Sequence, residues 1–360
     1  MVGKDSAFLP RTATAATLVG NTRDRVSAVK LGLETESCHL LFQHSRMDIF
    51  NFITLTRELG LDGVQINVIP DFGLHPEWGT LDGNDPRYLE RVRTAIDEYD
   101  FYCEIDARGT TVSELAPVLQ VAESLGATVV RSYIRYPHNV FDSAYMAAQV
   151  SEVAKVVPLL KDHGIRLAFE NHEFETSTDM VEFVQAIDEP EWVGLLCDIG
   201  NSMMVWEEPL SAVKSMAPYS FGVHFKDHTV VRDPGPAGDE AQPLVCGVPL
   251  GAGSIELEKI YQVLMQSSRA NSINLETCFP YCASFKRTVG TANSAAFHGT
   301  FRIAEPPFPL DIIRPTQYYY PHAVGLEALE GLIDRQLSEL KVSTTVLKNL
   351  RENYQPQQAL

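Results

Sequence analysis

No Cys-x-x-Cys pair occurs in the chain. The six cysteines (Cys38, Cys103, Cys197, Cys246, Cys278, Cys282) are scattered, and the nearest two are separated by three residues. This spacing excludes a zinc ribbon or a thioredoxin-like motif, and the thiols are expected to be reduced and mostly buried in a cytoplasmic protein. No run approaches 18 consecutive apolar residues, so no membrane span is expected. The first 25 residues hold Lys4, Arg11, Arg23 and Arg25 without an apolar core suited to an export signal. Positive charge is also scarce. Lys plus Arg number 29 against 47 Asp plus Glu, giving a formal charge of −18 over 360 residues, spread along the chain. Nucleic-acid binding rests on Lys and Arg at phosphates, so that class of partner is disfavoured.

What the chain does contain is rhythm. Short apolar runs rich in β-branched and aromatic residues recur at 29–34, 63–68, 101–106, 128–134, 166–171, 193–198, 220–226 and 272–277. They lack the strict alternation of a half-solvated sheet, as expected for strands covered on both faces. Helical patterns lie between them at 47–60, 85–99, 111–126, 143–164, 178–188, 208–217 and 254–267, with Gly60, Gly126 and Gly164 at C-cap positions. Eight strand–helix units predict an α/β fold, a (β/α)8 TIM barrel. An open dinucleotide-binding sheet is the rival, but no GxGxxG turn follows the first strand.

The expected organisation is an N-terminal tail (1–27), a barrel domain (28–280) and a C-terminal extension (281–360) with a terminal helix near 325–353. The Gly/Pro-rich stretch 229–253 reads as a long loop or lid after the seventh strand. The extension includes the aromatic and proline-rich segment 306–322.

Barrel enzymes place their chemistry at the C-terminal ends of the strands. Four of these ends carry Glu170 (in LAFENHE), Asp198 (LLCDIGN), His224 (GVHFKDH) and Glu276 (NLETCF). Buried carboxylates are costly unless paired or metal-bound, so four such residues facing one mouth point to a divalent cation. Three carboxylates and one imidazole form a mostly hard site, suited to Mn2+, Mg2+ or Co2+, with Zn2+ as a further option. The other strand ends supply Glu34 and Glu36, Asn67, Glu104 with Asp106 and Arg108, and Arg131 with Arg135. His172, Lys226 and His228 flank the four. Among these, Glu34, Asn67, Glu104, Arg135, His172, Lys226 and His228 are the substrate-binding candidates. His138 follows the fourth strand in a loop with Pro137 and is a candidate acid/base, since imidazole is the usual proton carrier near neutral pH.

The order ENHE, CDIGN, HFKDH, PLGAGSIELEKIYQVL and NLET resembles the xylose isomerase-like TIM barrels, the sugar phosphate isomerase/epimerase group. The resemblance spans about residues 28–280. It implies one Mn2+-like ion on Glu170, Asp198, His224 and Glu276, with Glu170 and Glu276 also moving protons. One departure stands out: the epimerase pattern has His three residues after the metal Asp, and this chain has Asn201. The opening KLGLETESCHLLFQHSRMDIFNFI, His138 and the long extension are similar to the metal-binding large subunit of bacterial C-glycoside deglycosidases. That likeness implies a 3-oxo-glycoside substrate, β-elimination of an aromatic aglycone, an oligomer and a smaller β-rich partner subunit. Segment 306–322 would contact the aglycone or that partner. Two outcomes stay open at this point: lyase, or sugar isomerase or 3-epimerase. A non-catalytic sugar-binding subunit is a minor third.

Overall fold

The computed structural model describes residues 29–70, 73–232, 243–279, 281–287, 299–305 and 326–355. Eight parallel strands close into a barrel, in the order β1-β10-β7-β6-β5-β4-β3-β2. They are β1 (Lys30–Glu34), β2 (Gly63–Asn67), β3 (Tyr102–Asp106), β4 (Val129–Ser132), β5 (Arg166–Glu170), β6 (Val193–Asp198), β7 (Ser220–Phe225) and β10 (Ser272–Leu275). Each falls within one of the eight apolar runs. Around them lie α1 (His39–Gln43), α2 (Ile49–Glu58), α3 (Pro86–Glu98), α4 (Val112–Leu125), α5 (Ser143–His163), α6 (Ser177–Ile187), α7 (Pro209–Met216) and α8 (Leu257–Ser267). Local chemistry sets these boundaries. Asp48 with Asn51, Thr111 with Glu114 and Thr176 with Asp179 form reciprocal capping boxes at the starts of α2, α4 and α6. Gly126 and Gly164 end α4 and α5 in the left-handed region, at φ 69° and 66°, where a side chain would be strained. No helix among the described residues is long and apolar enough to cross a membrane.

The structure departs from the sequence expectations in two places. First, 229–253 is not a plain loop. β8 (Asp227–Arg232) and β9 (Pro243–Val248) form an antiparallel arm. Together with β11 (Cys282–Ser284) and β12 (Ile303–Ala304) they make a four-stranded sheet. The Gly/Pro-rich stretch between β8 and β9 hid the pair of strands, and 233–242 lies outside the described residues. Second, Cys246 and Cys282 face each other across the β9–β11 ladder and form a disulfide, against the expectation of six reduced thiols. Their sequence separation of 36 gave no hint of the pairing. Cys38, Cys103, Cys197 and Cys278 are free. The terminal helix α9 (Leu326–Asn353), expected near 325–353, packs onto the barrel. Leu329, Leu332, Ile333, Leu340 and Leu347 join the main core, Gln336 bonds the Phe279 carbonyl, and Arg351 pairs with Asp62 beneath β1. It thus covers the barrel beside β10 and against α1. Segments 1–27 and 306–322 lie outside the described residues.

Two consequences are measurable. Leu340 is fully buried, so Leu340→Ala should cost about 2–5 kcal/mol and lower the urea midpoint. A loss below about 0.5 kcal/mol, typical of surface positions, would remove α9 from the core. His39 is buried between Gln43 and the Phe279 carbonyl, and burial holds its imidazole down at about 4 despite both hydrogen bonds. The unfolded chain accepts this proton near pH 6.5 and the folded chain only near 4, so the stability from the neutral ring is lost as pH falls through that interval. Replacing His39 by Gln should flatten the acid limb of the stability curve by ~3 kcal/mol between those limits, read by urea unfolding at stepped pH.

Candidate metal centre

Alternation along a strand sends every second side chain into the barrel, and parallel register stacks those side chains in layers. At the mouth, Asp198 pairs with His224 in register, and His224 pairs on its other side with Asn274, two residues before Glu276. Glu170 ends β5 next to β6. One donor atom from each of Glu170, Asp198, His224 and Glu276 lies within 4.8 Å of all the others, and all four residues are buried. His224 Nδ1 is the hub. It lies 3.0 Å from Glu170 Oε1, 2.9 Å from Glu276 Oε2 and 3.7 Å from Asp198 Oδ2. Its Nε2 donates to the side-chain oxygen of Gln65, which leaves Nδ1 facing the carboxylates as the ring nitrogen that a cation would take from the neutral imidazole.

Two buried cations border the cluster. Arg131 binds Asp106 through one guanidinium nitrogen and Glu170 Oε2 through the other. Lys226 Nζ lies 2.7 Å from Asp198 Oδ2 and 2.5 Å from Glu276 Oε2. Burial opposes ionisation of Glu170, but Arg131 and then His224 outweigh it and hold the carboxyl at about 2. Burial likewise opposes ionisation of Glu276, and Lys226 followed by His224 overcomes it, leaving it well below the usual carboxylate range. The His224 ring would be driven neutral by burial alone, yet Glu276 and Glu170 lift it well above the ordinary value. Burial pushes Asp106 up to about 6, although Arg131 opposes the shift. With the His224 ring neutral, as metal ligation requires, Asp106, Glu170, Asp198 and Glu276 exceed Arg131 and Lys226 by two negative charges, the charge of one divalent ion.

The donor set fits such an ion. Asp198 Oδ2 and Glu276 Oε2 are buried and both face Nδ1 of His224, with the Lys226 ammonium as the cation against them. Asp198 Oδ1 is fixed by the backbone N–H groups of Gly200 and Asn201 at 2.8 Å each, which aims Oδ2 into the cluster. Asn201 Nδ2 donates to Glu170 Oε1 at 3.3 Å, from the position where the epimerase pattern has His. These residues would hold the ion through three carboxylates and Nδ1 of His224, a mostly hard set suited to Mn2+, Mg2+, Co2+ or Zn2+.

Above the cluster opens a cavity of about 260 Å3. Asn67, His172, Lys226 and His228 line it, as do Asp106, Arg131, Tyr133, Asn201 and Glu276. His172 stacks flat on Tyr133, with centroids 4.0 Å apart, and burial holds its imidazole down at about 4. His228 is held at about 4 by burial and by the Lys226 charge, and its Nδ1 meets the Gly200 carbonyl at 3.2 Å. Its Nε2 is left buried and without a partner among the described residues.

The other candidates lie elsewhere. Glu34 is fully buried; it accepts from Thr35 and the Glu36 backbone N–H, and burial together with Asp106 pushes it well up. Glu104 lies below the cluster, where it accepts from Gln65, Ser272 and Asn274. Arg135 is exposed, 3.8 Å from Glu114, and His138 is exposed on a short turn at φ 60°; neither belongs to the cavity wall. Gln65 escaped the sequence reading. Its signal was available, since it precedes Asn67 by two residues and so shares its face of β2.

Gln65→Leu removes the acceptor that fixes the His224 ring. Orienting partners of this kind typically contribute 10–100-fold to metal affinity. The variant should bind Mn2+ more weakly by about that factor in calorimetry, and unchanged affinity would show that Gln65 does not set the tautomer.

The uncharacterized protein YihM of Escherichia coli (strain K12) is 29% identical over 217 residues, 60% of this chain and 64% of that protein. The chain therefore spans just under two thirds of that relative. The 3-oxo-isoapionate decarboxylase of Pectobacterium atrosepticum is 24% identical over 216 residues, 59% of this chain and 74% of that protein. In fold, the chain is similar to a crystal structure of D-psicose 3-epimerase in the presence of D-fructose. The TM-score is 0.54 at 12% identity, with 88% of this chain and 99% of the other covered. Residues 53–281 match the family model described as Xylose isomerase-like TIM barrel. With that match over more than half its length, and with the barrel and buried ligand cluster above, the chain belongs to the xylose isomerase-like TIM barrel family.

Proposed function

We propose that the chain is a divalent-metal-dependent carbohydrate enzyme that removes a proton next to a sugar carbonyl and forms an enediolate. The observation that carries this reading is the convergence of Glu170, Asp198, His224 and Glu276 within 4.8 Å, beside the cavity that Glu276 helps to line. The bound cation supplies Lewis-acid polarisation of the carbonyl and offsets the charge that develops as the proton leaves. The chain's own groups do the rest. Glu170 and Glu276 are kept ionised and so remain proton acceptors. His228, with its Nδ1 turned to the Gly200 carbonyl, presents an Nε2 lone pair as a second acceptor, and its ring stays neutral down to about pH 4. The flat Tyr133–His172 stack gives the sugar ring a face to lie on.

Within that class we assign a lyase acting on 3-oxo-C-glucosides as a C-glycoside deglycosidase subunit, working with a smaller β-rich partner. The proton on C2 passes to the base, the enediolate expels the aglycone from C1, and the aglycone carbon takes up a proton. Similarity to a decarboxylase named for a 3-oxo substrate supports this choice, because both reactions break a carbon–carbon bond of a 3-oxo substrate by way of an enolate. His138 stands outside the cavity wall, so the imidazole role falls to His172 or His228, which line it. A second reading, sugar isomerase or 3-epimerase, is favoured by the fold shared with D-psicose 3-epimerase; Asn201 in place of His counts against it.

A parallel assay separates the two. Metal-reconstituted protein receives a 3-oxo-C-glucoside and a free ketose, with and without the small partner. Release of aglycone supports the lyase, whereas ketose epimerisation without release establishes the second reading, and inertness toward both sinks the proposal. Glu276→Gln should lower turnover by about 10²-fold or more with an unchanged circular dichroism spectrum.

A further inference from the structure

Arg131 and Lys226 neutralise the same cluster in different ways. Arg131 binds Glu170 through Oε2, leaving Oε1 to face His224 Nδ1 at 3.0 Å. Lys226 instead contacts the near oxygens themselves. Glu276 Oε2, 2.5 Å from Nζ, is the atom 2.9 Å from His224 Nδ1, and Asp198 Oδ2, 2.7 Å from Nζ, is the one 3.7 Å from it. Lys226 thus holds, by direct ion pairs, the same two oxygens that face His224 Nδ1. The Lys226 stem also has a reserved path. A Cβ at residue 200 would fall 2.7 Å from Lys226 Cγ, while Gly200 has an ordinary φ of −105°. Glycine therefore serves there for space and not for backbone freedom. The ammonium has somewhere to go, because Lys226 lines the cavity together with Cys278, His228 and Glu276.

We propose that Lys226 and the divalent cation compete for the same two oxygens, Asp198 Oδ2 and Glu276 Oε2, and that cation entry turns the Lys226 ammonium into the cavity as the positive group facing the substrate. Arg131 is the fixed counter-ion of the site and Lys226 the exchangeable one. The competition keeps the carboxylates in place as a preformed ligand pair, at the cost of weaker cation binding. It also couples loading of the ion to exposure of a cation suited to an oxyanion or a hydroxyl of the sugar. This inference rests on the metal reading of the site.

The test is calorimetric titration of full-length, EDTA-treated protein with MnCl2, on wild type, Lys226→Met, Lys226→Gln and Lys226→Arg. Removing a positive charge this close to the ion should tighten Mn2+ binding by about tenfold or more in the two neutral variants, and Lys226→Arg should stay within about threefold of wild type. Neutral variants that fold, as judged by circular dichroism, and bind Mn2+ no tighter than wild type overturn the inference. A wild-type chain that binds no divalent cation overturns the metal reading instead, so the two failures are distinguishable. Should neither neutral variant fold, the 15Nζ signal of Lys226 in wild type decides, assigned by its loss in Lys226→Arg. Mg2+ must shift that signal, and an unmoved signal overturns the proposal.

Discussion

Four carboxylates crowded around one imidazole at the closed mouth of a barrel are the constraint on which the rest of the structure turns. Like charges at such separations repel by several kcal/mol even at an effective dielectric constant of about 20, and burial adds the cost of lost hydration. Asp106, Glu170, Asp198 and Glu276 are tolerable together only because each has a cation against it: Arg131 for the first two and Lys226 for the last two. The remaining excess of negative charge matches a divalent ion. Cavity, neutral imidazoles and aromatic stack are arranged around that unsatisfied charge.

The layer beneath the mouth shows how the barrel supports it. Glu104 accepts from Gln65, Ser272 and Asn274, and Tyr102 donates to Asn274, so side chains of β2, β3 and β10 are joined across the interior. Burial raises Glu104 against these bonds. Gln65, tied to Glu104 through its amide nitrogen, offers its oxygen to His224, and the tautomer of the central ligand is thus set two residues deeper than the ligands themselves. On the other side, Asp227 accepts backbone bonds from Gly251 and Gly253, anchoring the GAGSI turn beneath the arm that carries His228. Lys226 and His228 owe their positions to that anchoring as much as to β7.

Much of this was legible in the residues. Strand and helix boundaries agree closely because buried parallel strands need apolar runs and helices need caps, both of which are local. The four residues that converge at the mouth stood out for a related reason: a barrel turns the end of a strand into the mouth, and Glu170, Asp198, His224 and Glu276 interrupt apolar runs at those ends. Other features were not legible. The β8–β9 arm is joined by a Gly/Pro-rich stretch that reads as loop. The pairing of Cys246 with Cys282 depends on a ladder between distant segments. His138 and Arg135 sit near a strand end in sequence but on its exposed exit in space.

By itself, then, the sequence determined the eightfold strand–helix alternation and the side chains available to a cation, because period, capping and composition act within a few residues along the chain. Only the tertiary structure decided which side chains converge. Glu104 and Glu34 were drawn inward, and Gln65 was set on His224. Arg131 was directed to the far oxygen of Glu170 and Lys226 to the near oxygens of Asp198 and Glu276, while α9 was brought onto the barrel core. Those outcomes depend on barrel closure and inter-strand register, which bring together residues more than a hundred positions apart and settle, atom by atom, how buried charge is balanced.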